Sequence, residues 1–534
     1  MRRTTLSLLF AASLTSSLFS QATAAKLATC AVQTHAAASD ADRAFAAGDF
    51  AKAESLSASA STIPAFTTLV RSQIELDKTA DALASAQKAV AALPTSGDAE
   101  ALLGEALLRN GQIAEAQAAF NKGYTTDHCS ALAVYDIGRF SNLASRHAIA
   151  AKAFATAHTL APADPAITAA YATSLPEDAR GPALKTLLAS SPMLPPVEIA
   201  RLNVALAIAD QHKSCTPLEP GNAAKLDLLG LMLYGTHARG FGIKVKVDNA
   251  DLPILELDSS VSGIVLNPSD AKKAGVKPLF ATSPAPGITY YAVADHIKIG
   301  PLEYKDCVVR VAPAAALANS NSLIGTDFFR DHLQHIDYVL KTYTLTPYPT
   351  PAAGLTDRVV GADQRDWTPI FVNGSDILIP TLLNKKGPYT FLLATGSHIS
   401  ILAPGVNKKI LLAVRDANLN LHGSSAAIIK VIPKFGGSDD DHALVYGPTG
   451  VLLRPSQPIK VPSFQFTNNE FLDDQTLSFD LTPKSHDGGI EISGLLGFST
   501  LREFFTDIDY RNGLVKIAYD YNHLYTIRDM ARDK

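Results

Sequence analysis

The sequence predicts a multidomain protein in which an N-terminal α-solenoid is followed by two copies of an all-β domain. Three observations predict this architecture. Small and aromatic residues recur every 34 positions in the first third of the chain. From about Phe241 the sequence changes to alternating apolar and polar residues with Gly, Pro and Asn turns, which is typical of short antiparallel strands. Two segments of this second part match each other 172 positions apart, as from Gly325 to Gly497.

Bulk properties describe an ordinary globular protein. The 534 residues exceed one domain and suggest about three or four. Charged residues make up 18% and the net charge is −4, with no basic stripe along the chain. This composition excludes a disordered chain, and we expect no nucleic-acid partner.

The N-terminus has the three parts of an export signal. Arg2 and Arg3 precede an apolar run from Leu6 to Phe19, and small residues follow to Ala25. We therefore expect residues 1–25 to be a signal peptide and the protein to be periplasmic or extracellular. The run is shorter than a membrane span needs, and no later segment is long and apolar enough, so no span is expected.

Residues 36–215 have the composition and the period of paired helices. They are rich in Ala, Leu, Glu and Lys, which favour helix. The positions recurring at 34 or twice 34 residues are Ala82, Ala116 and Ala150; Val70, Gly104 and Gly138; Phe120 and Phe154; and Pro94 and Pro162. This pattern resembles the tetratricopeptide repeat. The resemblance implies either a surface for a protein partner or a scaffold that only packs against the rest.

The β region contains one domain twice. In the first copy, residues 253–258 are predicted to form a strand that ends at Asp258, and the chain then turns at Ser259 and Ser260. Two glycines, Gly325 and Gly497, are each followed by residues that correspond at equal offsets. The corresponding pairs are Phe329 and Leu501, Arg330 and Arg502, Leu333 and Phe505, Ile336 and Ile508, Asp337 and Asp509, and Tyr338 and Tyr510.

Two short motifs carry a family resemblance. Asp258-Ser259-Ser260 and Ala394-Thr395-Gly396 each resemble the Asp-Thr/Ser-Gly signature of aspartic peptidases. The surrounding sequence resembles two retropepsin-like β-barrel domains, at residues 240–346 and 368–522, with a proline-rich linker at 347–367. The resemblance implies an intrachain pseudo-dimer of the kind that pepsin-like enzymes form.

The resemblance also assigns roles. In an active member each half supplies one Asp, and the two carboxylates share a proton to activate a water. Asp258 and Ser259 are therefore the catalytic candidates, and Ala394, Thr395 and Gly396 are the degenerate partner positions. Ala394 removes the second carboxylate, and Ser260 replaces the Gly of the first motif.

Substrate binding is expected from a flap hairpin near residues 287–293, with Tyr290 and Tyr291 as contacts, and from Ser397 beside the second motif. Three interpretations stay open. The protein is a weakened or inactive peptidase that binds extended peptides or proteins between its β domains while the repeats recruit a partner. Alternatively, it is an active aspartic endopeptidase in which Asp258 pairs with Asp258 of another chain or with an unrecognised second acid. The third interpretation is a non-enzymatic assembly scaffold.

The four cysteines, Cys30, Cys129, Cys215 and Cys307, lack the spacing of metal ligands. Three full disulfide pairings, or isolated thiols, stay open. No phosphate-binding or dinucleotide-binding motif is present, so we expect no cofactor and no metal.

Overall fold

The computed structural model describes residues 30–33, 37–210, 215–233, 237–280, 289–313, 317, 321–349, 360–397, 400–409, 430–434, 442–446, 452–456, 459–467, 469–478 and 480–519. The chain divides near residue 213 into a helical unit and a β unit. The expected signal peptide, residues 1–25, lies outside the described residues. Among the helices that the structure describes, none is long and apolar enough to cross a membrane.

The helical unit consists of helix pairs in series. Its described helices are α1 (Asp40–Ala46), α2 (Phe50–Ser57), α3 (Ile63–Glu75), α4 (Thr79–Ala92), α5 (Gly97–Arg109), α6 (Ile113–Thr126), α7 (Ala131–Leu143), α8 (His147–Leu160), α9 (Pro165–Ser174), α10 (Glu177–Ala189) and α11 (Pro196–Asp210). Helices α3, α5, α7 and α9 start 34 residues apart, as do α4, α6 and α8. The period predicted from sequence is therefore the period of the structure.

Capping and close packing explain why the period is 34. The side chains of Ser96, Ser130 and Asp164, which are 34 residues apart, each accept a hydrogen bond from a backbone N–H in the first turn of α5, α7 and α9. Gly104 lies against the ring of Phe120, where an added Cβ would come within 2.3 Å of a ring carbon. Small residues are therefore needed where the paired helices cross.

A charged ladder also follows the repeat. Arg71, Glu105 and Arg139 occupy the same position of α3, α5 and α7. Arg71 donates two hydrogen bonds to Glu105, at 2.7 and 3.1 Å, and Arg139 lies 3.7 Å from the same carboxylate. Arg139 also donates to Asp136 at 2.9 Å, and Asp136 is fully buried. The ladder therefore joins three successive repeats through a buried carboxylate.

The β unit contains short strands and a few helices. Its described strands in the first half are β1 (Thr216–Pro217), β2 (Ala224–Asp227), β3 (Leu229–Leu233), β4 (His237–Ile243), β5 (Lys246–Val247), β6 (Ala250–Asp251), β7 (Leu255–Leu257), β8 (Ile264–Leu266), β9 (Lys277–Phe280), β10 (Tyr290–Ile299), β11 (Leu302–Val311), β12 (Leu323–Ile324), β13 (His332–Asp337) and β14 (Thr342–Pro347). Helix α12 (Pro268–Ala274) and a 3-10 turn (Thr326–Phe329) accompany them.

The second half repeats the arrangement. Its described strands are β15 (Thr368–Pro369), β16 (Phe371–Asn373), β17 (Asp376–Leu383), β18 (Lys386–Leu393), β19 (Ile401–Leu402), β20 (Lys430–Lys434), β21 (His442–Tyr446), β22 (Leu452–Ser456), β23 (Ile459–Phe466), β24 (Asn469–Ser478), β25 (Gly494–Leu496), β26 (Phe505–Asp509) and β27 (Leu514–Ala518). The accompanying helices are a 3-10 turn (Ala362–Gln364), α13 (Pro404–Lys409), α14 (Thr482–Gly488) and α15 (Phe498–Leu501).

Each copy has its own sheet, another sheet joins the two copies, and β20, β21 and β22 form a separate three-stranded sheet in that order. The first copy has the order β3-β4-β7-β12-β8-β11-β10-β5-β6, and the second has β16-β17-β18-β25-β19-β24-β23, in which β23 also pairs with β17. The shared sheet runs β15-β27-β26-β13-β14-β2, with three strands from each copy. A single buried core contains residues of both copies. The predicted α-solenoid followed by two β domains is thus confirmed.

The β sheets begin before the sequence suggested. Strands β1 to β3 precede residue 240, and β2 pairs with β14 in the shared sheet. Gly, Pro and Asn around residues 217–222 hid these short strands in the sequence. The disulfides are Cys30–Cys129 and Cys215–Cys307, each within one unit. They settle the pairing that the sequence left open.

Candidate functional site

The two motifs lie at equivalent places at the ends of equivalent strands. Strand β7 ends immediately before Asp258 and pairs in parallel with β12. Strand β18 ends immediately before Ala394 and pairs in parallel with β25. The backbone N–H of Asp258 donates to Ile324 O at 3.0 Å, and that of Ala394 donates to Leu496 O at 3.0 Å. The same local fold therefore presents an acid in one copy and a methyl group in the other.

Ser259 and Thr395 bind the two motifs to each other. The Ser259 hydroxyl donates to Leu393 O at 2.6 Å and accepts from the Thr395 N–H at 3.1 Å. In return, the Thr395 hydroxyl donates to Leu257 O at 2.9 Å and accepts from the Ser259 N–H at 3.0 Å. All four bonds are buried. Each motif therefore binds the backbone of the other through its hydroxyl group.

Asp258 is held from its own copy and faces the other one. Its Oδ1 accepts from the backbone N–H of Ser260 at 2.9 Å and from the Ser260 hydroxyl at 2.7 Å. Its Oδ2 lies against Gly396, because a Cβ added to Gly396 would come within 2.3 Å of that oxygen. The side chain is 1% exposed. Gly396 is thus the residue that makes room for the carboxylate.

The two departures from the aspartic-peptidase motif are linked by this geometry. Ser260 is the first-copy equivalent of Gly396, and Ala394 is the second-copy equivalent of Asp258. A carboxylate at position 394 would face residue 260 as Asp258 faces Gly396. By this equivalence, a side chain at residue 260 is compatible with Ala394 and is expected to crowd a second acid. The sequence showed both changes, and the equivalence of the two copies relates them to each other.

The other site residues predicted from the sequence, Ser397, Tyr290 and Tyr291, lie in different parts of the β unit. Ser397 is buried, and its N–H donates to Ala394 O at 3.0 Å, so it belongs to the turn of the second motif. Tyr290 and Tyr291 lie on β10, which β12, β8 and β11 separate from β7 in the sheet. The ring of Tyr291 stacks on Phe280 of β9, with 4.6 Å between centroids. Their role as flap contacts stays a prediction, and residues 281–288 lie outside the described part.

Glu256 is an acid that the sequence analysis did not single out. Its neighbours on β7, Leu255 and Leu257, belong to the main core, so Glu256 points to the opposite face of the strand. Glu256 is fully buried, and its register partner on β12 is Leu323. The sequence offered one signal for Glu256. Side chains alternate between the two faces of a strand, and Glu256 is a charged residue within an otherwise apolar run.

The interface between the copies is not symmetrical. Tyr510 forms a 2.7 Å hydrogen bond with the hydroxyl of Thr326, and burial, followed by repulsion from Asp327, raises the pKa of Tyr510. When the roles of the two copies are exchanged, the equivalent residues are Tyr338 of the first copy and Phe498 of the second. Their rings meet edge to face, with 5.9 Å between the centroids. Burial raises the pKa of Tyr338 as well. The two copies are therefore complementary to each other and differ from two identical partners.

The linker is fixed at both of its ends by one residue of the second copy. Tyr348 donates to Asp509 Oδ1 at 2.9 Å, and Gln364 donates to Asp509 Oδ2 at 2.6 Å. Asp509 is fully buried.

Among the described residues, no group of three metal-ligating side chains lies around Asp258. The contacts described for the Asp258 carboxylate come from the Ser260 hydroxyl and backbone and from Gly396.

Comparisons with known proteins find partial similarity. The profile of a bacterial transcriptional activator domain, which is a helical domain like the tetratricopeptide repeat, matches residues 13–126. No curated protein matches the sequence. The aspartic proteinase from Irpex lacteus is similar over 57% of this chain and 99% of that chain, at 13% identity and a TM-score of 0.30.

Two solved structures are similar to the helical region. The APC/C hetero-tetramer Cut9-Hcn1 has 17% identity and a TM-score of 0.27, and covers 31% of this chain and 34% of that chain. The match thus spans about a third of that protein's length. A thermophilic TPR protein from Thermus thermophilus has 19% identity and a TM-score of 0.25, and covers 31% of this chain and 92% of that one.

The class of the protein follows from the strand order and register given above. The helical unit is a solenoid of tetratricopeptide-like repeats, and the β unit is β-rich, with two copies of one domain joined by a shared sheet. The paired turns at Asp258 and Ala394, with their reciprocal hydroxyl contacts, form the centre of that fold.

Proposed function

We propose that the β unit binds extended peptides or protein segments at the Asp258 centre and cleaves them weakly or not at all. The observation that supports this most strongly is the contact of Asp258 with Gly396 opposite a methyl group at Ala394. Peptide hydrolysis by this fold needs one carboxylate to activate water and a second group to protonate the leaving amine. Losing one such role typically lowers the rate by ~10²–10⁴-fold.

An intermolecular dyad of two Asp258 residues fits the structure poorly. It would require two first copies to pair, which would place His335 against His335 where His335 now meets Asp507. The bonds from Tyr348 and Gln364 to Asp509 hold the linker to the second copy of the same chain. Tethering further favours the internal partner through its effective concentration.

Glu256 supports a second candidate, an active endopeptidase. It is two residues before Asp258, on β7, the strand that leads into the Asp258 turn. In this alternative, Asp258 takes a proton from the attacking water and Glu256 gives a proton to the leaving amine. The buried Glu256 would then be the second acid that the sequence left unidentified.

Two further parts of the proposal concern the rest of the chain. The apolar run at residues 6–19 supports export, which would place the protein in the periplasm or outside the cell. Tetratricopeptide-like repeats commonly mediate protein interactions, so we assign partner recruitment to the helical unit. In a scaffold the repeats alone would bind, and the β unit would be a spacer.

The test measures peptide binding and cleavage together. A mixed peptide library is incubated with the signal-less protein across pH 3 to 7, and both retained peptides and products are identified by mass spectrometry. We expect retention without turnover, and loss of retention in the variant Gly396→Ala. Turnover that Asp258→Asn and Glu256→Gln each abolish would establish the active endopeptidase. Absence of both retention and turnover would favour the scaffold.

A matched set of variants tests why catalysis is absent. Ala394→Asp alone is expected to stay inactive, because Ser260 occupies the space opposite it. Ala394→Asp combined with Ser260→Gly is expected to gain turnover at acidic pH that pepstatin inhibits and Asp258→Asn removes. If Ala394→Asp alone were as active as the double variant, the linkage between residues 260 and 394 would be wrong.

A further inference from the structure

Three potential metal ligands meet in the helical unit, whereas the Asp258 centre belongs to the β unit. Cys30 and Cys129 are 99 residues apart in sequence and joined as a disulfide. A ring nitrogen of His128 lies within 4.8 Å of both sulfurs, and all three residues are half-buried. Two cysteines and a histidine are the donor set that zinc and other thiophilic cations prefer. Sequence spacing carries no signal for this group, because Cys30 is remote from the adjacent pair.

The segment that carries Cys30 has contacts besides the disulfide. The Gln33 side chain donates to Cys129 O at 3.0 Å, and the Gln33 N–H donates to Leu160 O at 2.7 Å. These bonds hold Cys30 beside the loop between α6 and α7 when the sulfurs are not joined. Within that loop the Cys129 N–H donates to Asp127 Oδ1 at 2.9 Å, which fixes the backbone of one ligand.

The backbone separation suits a metal as well as a disulfide. The Cα atoms of Cys30 and Cys129 are 5.5 Å apart. Two thiolates on a tetrahedral zinc ion, with Zn–S bonds of ~2.3 Å, have sulfurs about 3.8 Å apart. Rotation of the two cysteine side chains alone can move the sulfurs of Cys30 and Cys129 apart to about 3.8 Å. The carboxylate of Asp127 adds negative charge next to the site, which favours a cation.

We propose that reduction of the Cys30–Cys129 disulfide creates a binding site for a thiophilic cation such as Zn²⁺, with Cys30, Cys129 and His128 as ligands. A dithiol reductant transfers two electrons and two protons to the disulfide and becomes a disulfide itself. The two thiols then release two protons as their thiolates bind the cation. Three protein ligands leave one tetrahedral position for water or another ligand. The proposal is independent of the function assigned to the β unit.

The test uses the full chain without its signal segment, in a Cys215→Ser, Cys307→Ser background so that only the proposed thiols bind metal. Zn²⁺ is titrated against a chromophoric chelator with and without a phosphine reductant. We expect one equivalent bound in the reduced form and none in the oxidised form. Co²⁺ in place of Zn²⁺ is expected to give a thiolate-to-cobalt absorption band.

His128→Ala is the decisive variant, with His147→Ala of the same unit as the matched control. His128→Ala keeps the disulfide, so helical circular dichroism of the oxidised form verifies that it folds. We expect a loss of affinity of at least ~10-fold, since even outer-shell partners commonly contribute that much. Less than one equivalent in the reduced protein, or equal affinity in the two histidine variants, would overturn the proposal.

Discussion

His335 and Asp507 face each other at the centre of the shared sheet, with Nδ1 and Oδ1 2.6 Å apart. They are equivalent residues of the two copies, 172 positions apart. The ladder between β13 and β26 is symmetrical about them, since Gln334 pairs with Ile508 and Ile336 with Thr506. The local two-fold axis therefore passes between a histidine and an aspartate. Two identical first copies would place histidine against histidine there.

Exchanging these two residues tests whether the interface is specific for unlike copies. His335→Asp is expected to place two carboxylates at the axis and to lower stability by up to about 1 kcal/mol, the scale of interactions between partly exposed charges. Asp507→His is expected to act in the same direction by removing the unlike pair. The double exchange is expected to recover most of the loss. Thermal unfolding at low salt and neutral pH measures all four proteins.

A double exchange as unstable as the sum of the single variants would contradict the pairing. High salt supplies a further control, because it is expected to reduce the differences between variants at a half-exposed position.

The hydroxyl contacts between the motifs predict a graded response at Thr395. Thr395→Ser keeps the hydroxyl that donates to Leu257 O and accepts from the Ser259 N–H. Thr395→Val keeps the shape but leaves both of these buried groups without the hydroxyl. We expect Thr395→Val to cost about 1–3 kcal/mol and Thr395→Ser clearly less. Urea unfolding followed by Trp367 fluorescence measures the difference, and equal losses would contradict the assigned bonds.

The sequence was informative where the fold depends on periodic patterns. The 34-residue period matched the helix starts because small residues and N-caps such as Ser96 and Ser130 are local requirements. The motifs at Asp258 and Ala394 were also found, because they are short and duplicated. The strands before residue 240 were missed because β2 is stabilised by β14, which lies more than a hundred residues away.

Contacts between distant residues explain what the sequence did not predict. The relation of Ser260 to Ala394, and the approach of His128 to Cys30, arise only when remote segments meet in the fold. Glu256 was overlooked for a different reason, since only the structure shows that this charged residue of β7 is fully buried. The roles of Tyr290 and Tyr291 stay predictions.

The approach of Asp258 to Gly396 predicts that a single methyl group damages the site. Gly396→Ala places a Cβ within 2.3 Å of Asp258 Oδ2 and 2.4 Å of its Cγ, so the carboxylate must move. We expect a loss of about 1–3 kcal/mol, typical of overpacking, together with loss of peptide retention. Gly405→Ala is the matched control, because a Cβ there has no atom within 4 Å. Unchanged retention in Gly396→Ala would contradict the placement of the ligand at Asp258.

The charged ladder of the helical unit predicts a pH-dependent effect at Asp136. Burial, followed by repulsion from Glu105, raises the pKa of Asp136 well above its ordinary value. Although burial opposes it, the charge of Arg71 lowers the pKa of Glu105, which also hydrogen bonds Asp136. Asp136 is therefore the protonated member of the pair. Its contribution to stability is fully present below its unfolded pKa of about 3.9 and is lost as the pH rises through the folded pKa.

Asp136→Asn removes this titration while keeping an oxygen for Arg139 and a donor for Glu105. We expect the variant to gain stability relative to the parent as the pH rises from 4 to 9, measured as the unfolding midpoint of the helical circular dichroism signal. Asp40→Asn on α1, where the carboxylate is exposed, serves as the matched control. A constant difference between Asp136→Asn and the parent across this range would show that Asp136 is ionised in the folded protein, and that the ladder holds two buried carboxylates between Arg71 and Arg139.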